Sequence, residues 1–402
     1  MEATTKTMDI DSILKKAVEL VASDIHIKVG LPPIVRRYGA LIPLRDYPKL
    51  NNEHIAAFAD SIMNQYQKAK FETTNEIDFA YSLSQIGRFR VNCFRQRGSY
   101  GMVFRIVPTD PPKLDELNLP EIVKHISLEQ KGLVLVTGTT GSGKSTTLAG
   151  MCNHINTNRN CHILTIEDPI EFLHRDRKSI INQREVGSDT NSFALALRAA
   201  LRQDPDVILV GEMRDKETIE IALTAAETGH LVLSTLHTLD AVETIMRIVT
   251  VYPPHQHLQV RLQLAGVLKA VISQRLLPKK DGKGMVPASE ILVSTARIRE
   301  CIIDEHRTDE VPDAIAQGMV NYGMQTFDQS LMSLVKSDLV QYHEALRHST
   351  NPSDFALRMK GIMGTSDGKW DMFEGKEPEP ETETELVRSE MSKNGKRFKD
   401  SE

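Results

Sequence analysis

The chain has 402 residues, 40% of them hydrophobic and 26% charged, which is too long for one ordinary core and suits two domains plus a tail. Its net charge of −5 supplies no overall basic field for nucleic acid. No apolar run approaches the roughly 20 residues of a spanning helix, so no direct membrane insertion is expected.

The start, residues 1–12, is acidic and has no apolar core, so it does not read as a signal peptide, and a cytoplasmic location is expected. Cys93, Cys152, Cys161 and Cys301 form no Cys-x-x-Cys pair, which removes a zinc ribbon and leaves four reduced, packed thiols.

Residues 1–107 mix short strands and helices. Asp24-Ile25-His26-Ile27-Lys28-Val29 alternates polar and apolar, the pattern of a half-buried strand. Pro32-Pro33 and Gly39 punctuate the next stretch of chain. Arg88-Phe89-Arg90-Val91-Asn92-Cys93 and residues 102–107 form the arms of a predicted hairpin, with its turn near Gly98-Ser99-Tyr100-Gly101. Phe89, Val91 and Cys93 share one face of the first arm; Arg88, Arg90 and Asn92 take the other.

Pro108-Thr109-Asp110-Pro111-Pro112 cannot continue a helix or a central strand, so 108–117 is predicted to link two domains. The second domain, 118–362, alternates short apolar strands (133–136, 162–166, 207–210 and 231–233) with helices such as 192–203 and 216–228, the latter closed by Gly229. This is an α/β pattern with a mostly parallel sheet. A helical region is predicted from 254 to 357. In the tail, 363–402, six glutamates between Glu374 and Glu385 precede a basic run at 393–399, a composition expected to be disordered.

The sequence Gly138-Thr139-Thr140-Gly141-Ser142-Gly143-Lys144-Ser145 fits G-x-x-x-x-G-K-[ST] in full, between a predicted strand and a predicted helix. Glycines let successive backbone N–H groups turn inward around phosphate oxygens, and the helix N-terminus adds partial positive charge. The motif predicts ATP and Mg²⁺ here: Lys144 on the β- and γ-phosphates, Ser145 on the metal, and Thr146 completing the cradle.

Hydrolysis also needs a group that orients water and one that steadies the metal, and in open α/β sheets such groups lie at the C-terminal ends of strands. One strand leads to Glu167-Asp168-Pro169-Ile170-Glu171. A second ends in Gly211-Glu212 and resembles a Walker B strand. A third leads to Ser234-Thr235-Leu236-His237-Thr238.

Taken singly, such acids serve equally as helix caps or surface ion pairs, and such a histidine as a packing residue. Three segments ending on one edge beside a P-loop mark Glu171, Glu212 and His237 as catalytic candidates. Arg90 and Arg105, on the two hairpin arms, are candidates to bring positive charge to the γ-phosphate from the same or a neighbouring subunit. By spacing alone they read first as solvated strand arginines.

These residues resemble the type IV pilus retraction ATPases, the PilT-like branch of the secretion ATPase superfamily. The likeness runs from about Ile10 to Gly361. It includes Ser23-Asp24-Ile25-His26, Gly87-Arg88-Phe89-Arg90-Val91-Asn92, the P-loop, residues 165–171, Leu201-Arg202-Gln203-Asp204-Pro205-Asp206, Gly211-Glu212-Met213-Arg214-Asp215, residues 229–238 and Gly323-Met324-Gln325-Thr326-Phe327-Asp328.

The resemblance implies a PAS-like N-terminal domain, a RecA-like P-loop ATPase domain with a helical C-terminal region, and a homohexamer. It implies Glu171 as the water-polarising base, Glu212 near Mg²⁺ and His237 as a γ-phosphate or closure sensor. Arg90 and Arg105 match the family's N-terminal arginines. An inner-membrane pilus platform protein and a paralogous motor ATPase are the implied partners, at the cytoplasmic face of the inner membrane at the pilus base. The family's late Ala-Ile-Arg-Ala-Gly signature is represented by Ala345-Leu346-Arg347-His348-Ser349, a departure that bears on a main or accessory role in retraction.

Three other readings stay open on sequence. An extension or secretion motor would bring a cysteine-rich zinc motif and a longer N-terminal region, which this chain lacks. A RecA-like helicase would need a basic channel and stacking aromatics, against 5% aromatic residues here. A ring component that binds nucleotide without hydrolysing it is the third.

Overall fold

The computed structural model describes residues 9–361. The predicted tail, like residues 1–8, lies outside them. The first sheet is antiparallel throughout: β1 (Asp24–Lys28), β2 (Ile34–Arg37), β3 (Ala40–Pro43), β4 (Glu76–Leu83), β5 (Gly87–Gln96) and β6 (Ser99–Val107), in the order β3-β2-β1-β6-β5-β4. Helices α1 (Ile10–Glu19), α2 (Asn52–Ile62) and α3 (Gln65–Thr74) supply Ile13, Leu14, Ile55, Phe58 and Phe71 to a core shared with Ile25, Phe89, Val91, Cys93 and Phe104. The alternation read from β5 therefore holds, with Arg88, Arg90 and Asn92 left on the other face.

The hairpin turn is shorter than expected. Gln96 pairs with Ser99, so only Arg97 and Gly98 turn the chain, at φ of 53° and 75°. Positive φ at both central residues gives the twist that matches the strands. Gly101 sits within β6 opposite Phe94, and a Cβ there would lie 2.8 Å from the Phe94 ring. It provides room for an aromatic and does not make the turn.

The second sheet comprises β7 (Gly132–Thr137), β8 (His162–Glu167), β9 (Ile180–Glu185), β10 (Val207–Val210), β11 (Leu231–Leu236), β12 (Leu268–Pro278) and β13 (Met285–Val293). Their order is β13-β12-β7-β11-β10-β8-β9, parallel except for β12 against β13. The five strands from β12 to β8 have the RecA-like order, with the P-loop strand β7 between β11 and β12. Every residue of β7, β10 and β11 is buried, as expected of a sheet covered on both faces.

One face carries α4 (Ile122–Ser127) and α5 (Lys144–Asn158), with Val123, Met151 and Ile155 on Val134, Val136 and Ile272. The other carries α6 (Phe193–Ala200), α7 (Lys216–Glu227), α8 (Ala241–Thr250), α9 (His257–Val267), α10 (Ala296–Ile303) and α11 (Val311–Gln317), packed on Leu133, Leu135 and Val271. After the short α12 (Met319–Tyr322) come α13 (Phe327–Lys336), α14 (Tyr342–His348) and α15 (Pro352–Met359), which bury Leu277, Val286 and Ala288 at the tip of the β12–β13 hairpin.

The helical reading of 254–357 is corrected here, because β12 and β13 interrupt it. Periodicity cannot separate a buried strand from a buried helix over so short an apolar run as 268–277. The Asp281-Gly282-Lys283-Gly284 turn, with positive φ at both glycines, was the available signal for a hairpin. The predicted helix 192–203 is also shorter, Phe193–Ala200, with Ser192 as its N-cap.

The proline-rich stretch after β6 runs along α5: Asn153 donates to the carbonyls of Pro111 and Pro112, and Gly150 leaves space for Leu114 and Leu117. All four cysteines are free, three of them buried. Among the described residues no helix is long and apolar enough to cross a membrane.

Candidate nucleotide-binding and catalytic site

The loop from Gly138 to Gly143 joins β7 to α5. Gly138, Gly141 and Gly143 all have positive φ, at 137°, 82° and 95°. Gly138 has a second constraint, since a Cβ there would lie 2.4 Å from the Gln274 carbonyl and 2.6 Å from Ser142 Oγ. No side chain caps α5, which leaves the N–H groups of its first turn aimed at the loop.

Lys144 folds back into the same space, its Nζ donating to the Gly138 carbonyl at 2.8 Å and the Thr139 carbonyl at 3.0 Å. Burial lowers the lysine pKa, and the charge of Glu212 opposes that shift. Ser142 Oγ is buried without a hydrogen-bond partner, an unmet polar group inside the cradle. Thr139, Thr140, Gly141 and Ser145 line an exposed rim, and Thr146 is half-buried behind it. An uncapped helix N-terminus, one ammonium and an orphaned hydroxyl fit a phosphate chain.

Strand β12 braces this loop from the side. Thr137 Oγ1 donates to Ser273 Oγ at 2.9 Å, and the Gln274 amide is hydrogen-bonded to the Thr147 hydroxyl at 2.9 Å.

Glu212 comes just after β10 and meets His237 from the end of β11. His237 Nε2 lies 3.1 Å from its Oε1, and Arg214 Nη2 lies 2.8 Å from its Oε2. Burial raises the Glu212 carboxyl pKa, but the hydrogen bond from Arg214 and the charges of His237 and Arg214 outweigh it and hold the pKa below its ordinary value. The two loops are tied together by Thr235 Oγ1 donating to the Gly211 carbonyl and by the Met213 N–H donating to the Thr235 carbonyl. The fold thus brings the P-loop, Glu212 and His237 together.

Glu171 lies four residues beyond β8. Its N–H donates to Glu167 Oε2 at 3.4 Å, and its own Oε1 accepts from Arg90 Nη1 at 3.1 Å. Arg90 therefore reaches across from the first sheet within one chain. Arg105 does not: it pairs with Asp24 inside its own sheet, although it is the cross-strand neighbour of Arg90.

Among the described residues no cluster of three or more His, Cys, Asp or Glu side chains is placed to hold a metal ion. Ser145 and Glu212 suit an ion whose remaining ligands are phosphate oxygens and water.

The model of the type II/IV secretion system protein family matches residues 81–349. The chain belongs to that family. It is 47% identical over 348 residues to the type IV pilus retraction ATPase PilT of Pseudomonas aeruginosa, covering 87% of this chain and 100% of that protein. It is also 47% identical over 325 residues to a twitching motility protein of Neisseria gonorrhoeae, covering 81% of this chain and 86% of that protein. The crystal structure of the pilus retraction motor PilT with bound ADP, 47% identical in sequence, superimposes with a TM-score of 0.78, covering 86% of this chain and 98% of that one.

Sequence reading overlooked three contributors to this family member's site. Arg214 stood within the motif at 211–215, but only the fold shows it holding Glu212. Glu167 accepts from Thr165 Oγ1 at 2.6 Å and Gln183 Nε2 at 3.2 Å and anchors the segment leading to Glu171; burial pushes its carboxyl pKa up against those bonds. Gln274 lay in the stretch read as helix.

Proposed function

We propose that this chain is an ATP-hydrolysing motor that powers type IV pilus retraction, with pilin disassembly and twitching motility as its output. The single observation that carries the reading is the P-loop cradle whose Lys144 feels the charge of Glu212, the partner of His237, in a chain 47% identical to a retraction ATPase over 87% of its length. The working unit is a homohexamer of two-domain subunits: a PAS-like domain (1–107), a linker (108–117) and a RecA-like domain (118–362).

Each candidate cation of the site already has a partner within the protein. On binding ATP, Lys144 exchanges two backbone carbonyls for β- and γ-phosphate oxygens. Arg90 leaves Glu171 for the γ-phosphate, joined by Arg105 from the same or a neighbouring subunit. Freed of its guanidinium, Glu171 takes a proton from the water that attacks the γ-phosphorus, as the bond to the β–γ bridging oxygen breaks. A Mg²⁺ ion held through Ser145, with Glu212 nearby, would neutralise charge on the triphosphate. His237 reads the γ-phosphate through Glu212. Closing and opening of the two domains then deforms the ring against a platform protein at the cytoplasmic face of the inner membrane, beside a paralogous motor ATPase.

Lys144→Ala is expected to abolish nucleotide binding. Glu171→Gln and Glu212→Ala should keep the fold and lower kcat about 100-fold or more. ATP turnover at the parental rate in any of the three overturns the site. Deleting the gene should leave piliated cells that fail to twitch, whereas bald cells would point to an extension motor.

A further inference from the structure

Four charged side chains lie on one rung of the first sheet. Arg36 is opposite Asp24, Asp24 is opposite Arg105, and Arg105 is opposite Arg90. Residues paired on one rung project from the same face. The adjacent rung of Val35, Ile25, Phe104 and Val91 is buried in the core, so the charged rung takes the opposite face, where Arg90 meets Glu171.

The one carboxylate of this rung is strongly fixed. Asp24 is only 8% exposed. Its Oδ2 accepts from Ser23 Oγ at 2.8 Å, and its Oδ1 accepts from Arg105 Nε at 2.9 Å. Arg36 is more loosely placed, its Nε 4.0 Å from Oδ2 while its Nη1 donates to the Gly39 carbonyl. Burial raises the Asp24 pKa, but the Arg105 and Ser23 hydrogen bonds and the Arg105 charge bring it below the ordinary aspartate value, so the group is charged at neutral pH.

The chosen donor matters. Arg105 engages Asp24 through Nε, and its side chain is 64% exposed. The Nη1 and Nη2 edge, the edge that grips phosphate in a bidentate fork, faces away from the bond that holds the side chain.

We infer that Asp24 is the positioning residue for Arg105, clamping its Nε edge so that its Nη edge is presented to the γ-phosphate. The inference rests on the reading of Arg105 as a γ-phosphate arginine. A free arginine must give up the entropy of several rotatable bonds when it binds, and a side chain already clamped has less to lose.

The test is a double-mutant cycle on the assembled protein, reading kcat and KM of ATP hydrolysis. Arg105→Ala is expected to lower kcat about 100-fold. Asp24→Asn, which keeps shape and removes charge, should lower kcat about tenfold with KM changed less, the cost of a misplaced catalytic group. In the Arg105→Ala background Asp24→Asn should cost nothing further. Ser23→Ala, an exposed change that only loosens the carboxylate, should give a smaller loss with the same non-additivity, and it serves if Asp24→Asn fails to assemble. If Arg105→Ala lowers kcat while Asp24→Asn and Ser23→Ala do not, or if their losses add to it, Asp24 is only a staple between β1 and β6. If Arg105→Ala itself turns over at the parental rate, the γ-phosphate reading of Arg105 fails first and the clamp has nothing to position.

Discussion

Lys144, Arg90, Arg105 and Arg214 each carry a partner: two carbonyls, Glu171, Asp24 and Glu212. For Lys144 and Arg90, which give up their partners to phosphate, nucleotide affinity is a difference between two sets of bonds, so turnover is a better measure of these two side chains than affinity. Glu290 on β13 offers a prediction at the same scale. It is buried, accepts from the Ala241 N–H at 2.9 Å at the start of α8, and faces Asp240, Arg275 and Asp328. Burial, opposed by the Ala241 hydrogen bond, raises its carboxyl pKa to about 7 from 4.5. The folded chain thus keeps this proton up to about pH 7, whereas the unfolded chain releases it near 4.5. Stability from this group is present below the unfolded value and is lost as pH rises through the folded one, a change of up to about 3 kcal/mol. Urea midpoints should fall between pH 5 and pH 8 in the parent, and that slope should flatten in Glu290→Gln; identical slopes in the two proteins would contradict the assignment.

Strand β12 links several parts of the molecule. Successive residues reach Thr137, Thr147 and, through Arg275, the C-terminal helices: Arg275 Nη1 donates to the His348 carbonyl at 2.6 Å, and its guanidinium stacks 3.8 Å from the Phe327 ring centroid. Residues 345–349 are thereby tied to the strand that braces the P-loop. Gln274 is 1% exposed. Gln274→Leu leaves the buried Thr147 hydroxyl without this partner and should cost about 1–3 kcal/mol. The predicted result is a lower urea midpoint at unchanged m-value, with weaker ADP binding by calorimetry. Parental values in both assays would mean that the Gln274–Thr147 bond adds nothing.

At the scale of the whole molecule, among the described residues two ion pairs join the first sheet to the domain of the second. Arg90 meets Glu171, and Arg88 Nη2 lies 3.2 Å from Glu185 Oε2. The second pair is well shielded, with side-chain exposures of 17% and 6%. Glu185 also accepts the Ile170 N–H at 3.1 Å, so the same carboxylate orders the segment leading to Glu171. The Leu173 N–H adds a bond to the Pro108 carbonyl. Arg88→Met leaves a buried carboxylate short of its cation, a change that costs about 3 kcal/mol where the pair is fully buried and less here. Protease cleavage within 108–113 should then become several-fold faster in the absence of nucleotide. Cleavage at the parental rate would show that Arg88 does not hold the two sheets together.

The P-loop, the strands before it and after it, and the two faces of β5 were legible because each is a local pattern: a motif at fixed spacing, a run of apolar residues, an alternation of period two. Glu171, Glu212 and His237 were legible as strand-end residues. Partnership was not legible. That Arg90 lies against Glu171 while its rung neighbour Arg105 lies against Asp24 depends on the register of three strands and on how one sheet sits beside another. Nor could hydrophobic periodicity place β12, whose strand conformation is fixed by pairing with β7 and β13 and by burial between them. Hydrophobic spacing sets what a segment is able to form; contacts made by residues distant along the chain decide which form it takes and which charge each side chain meets.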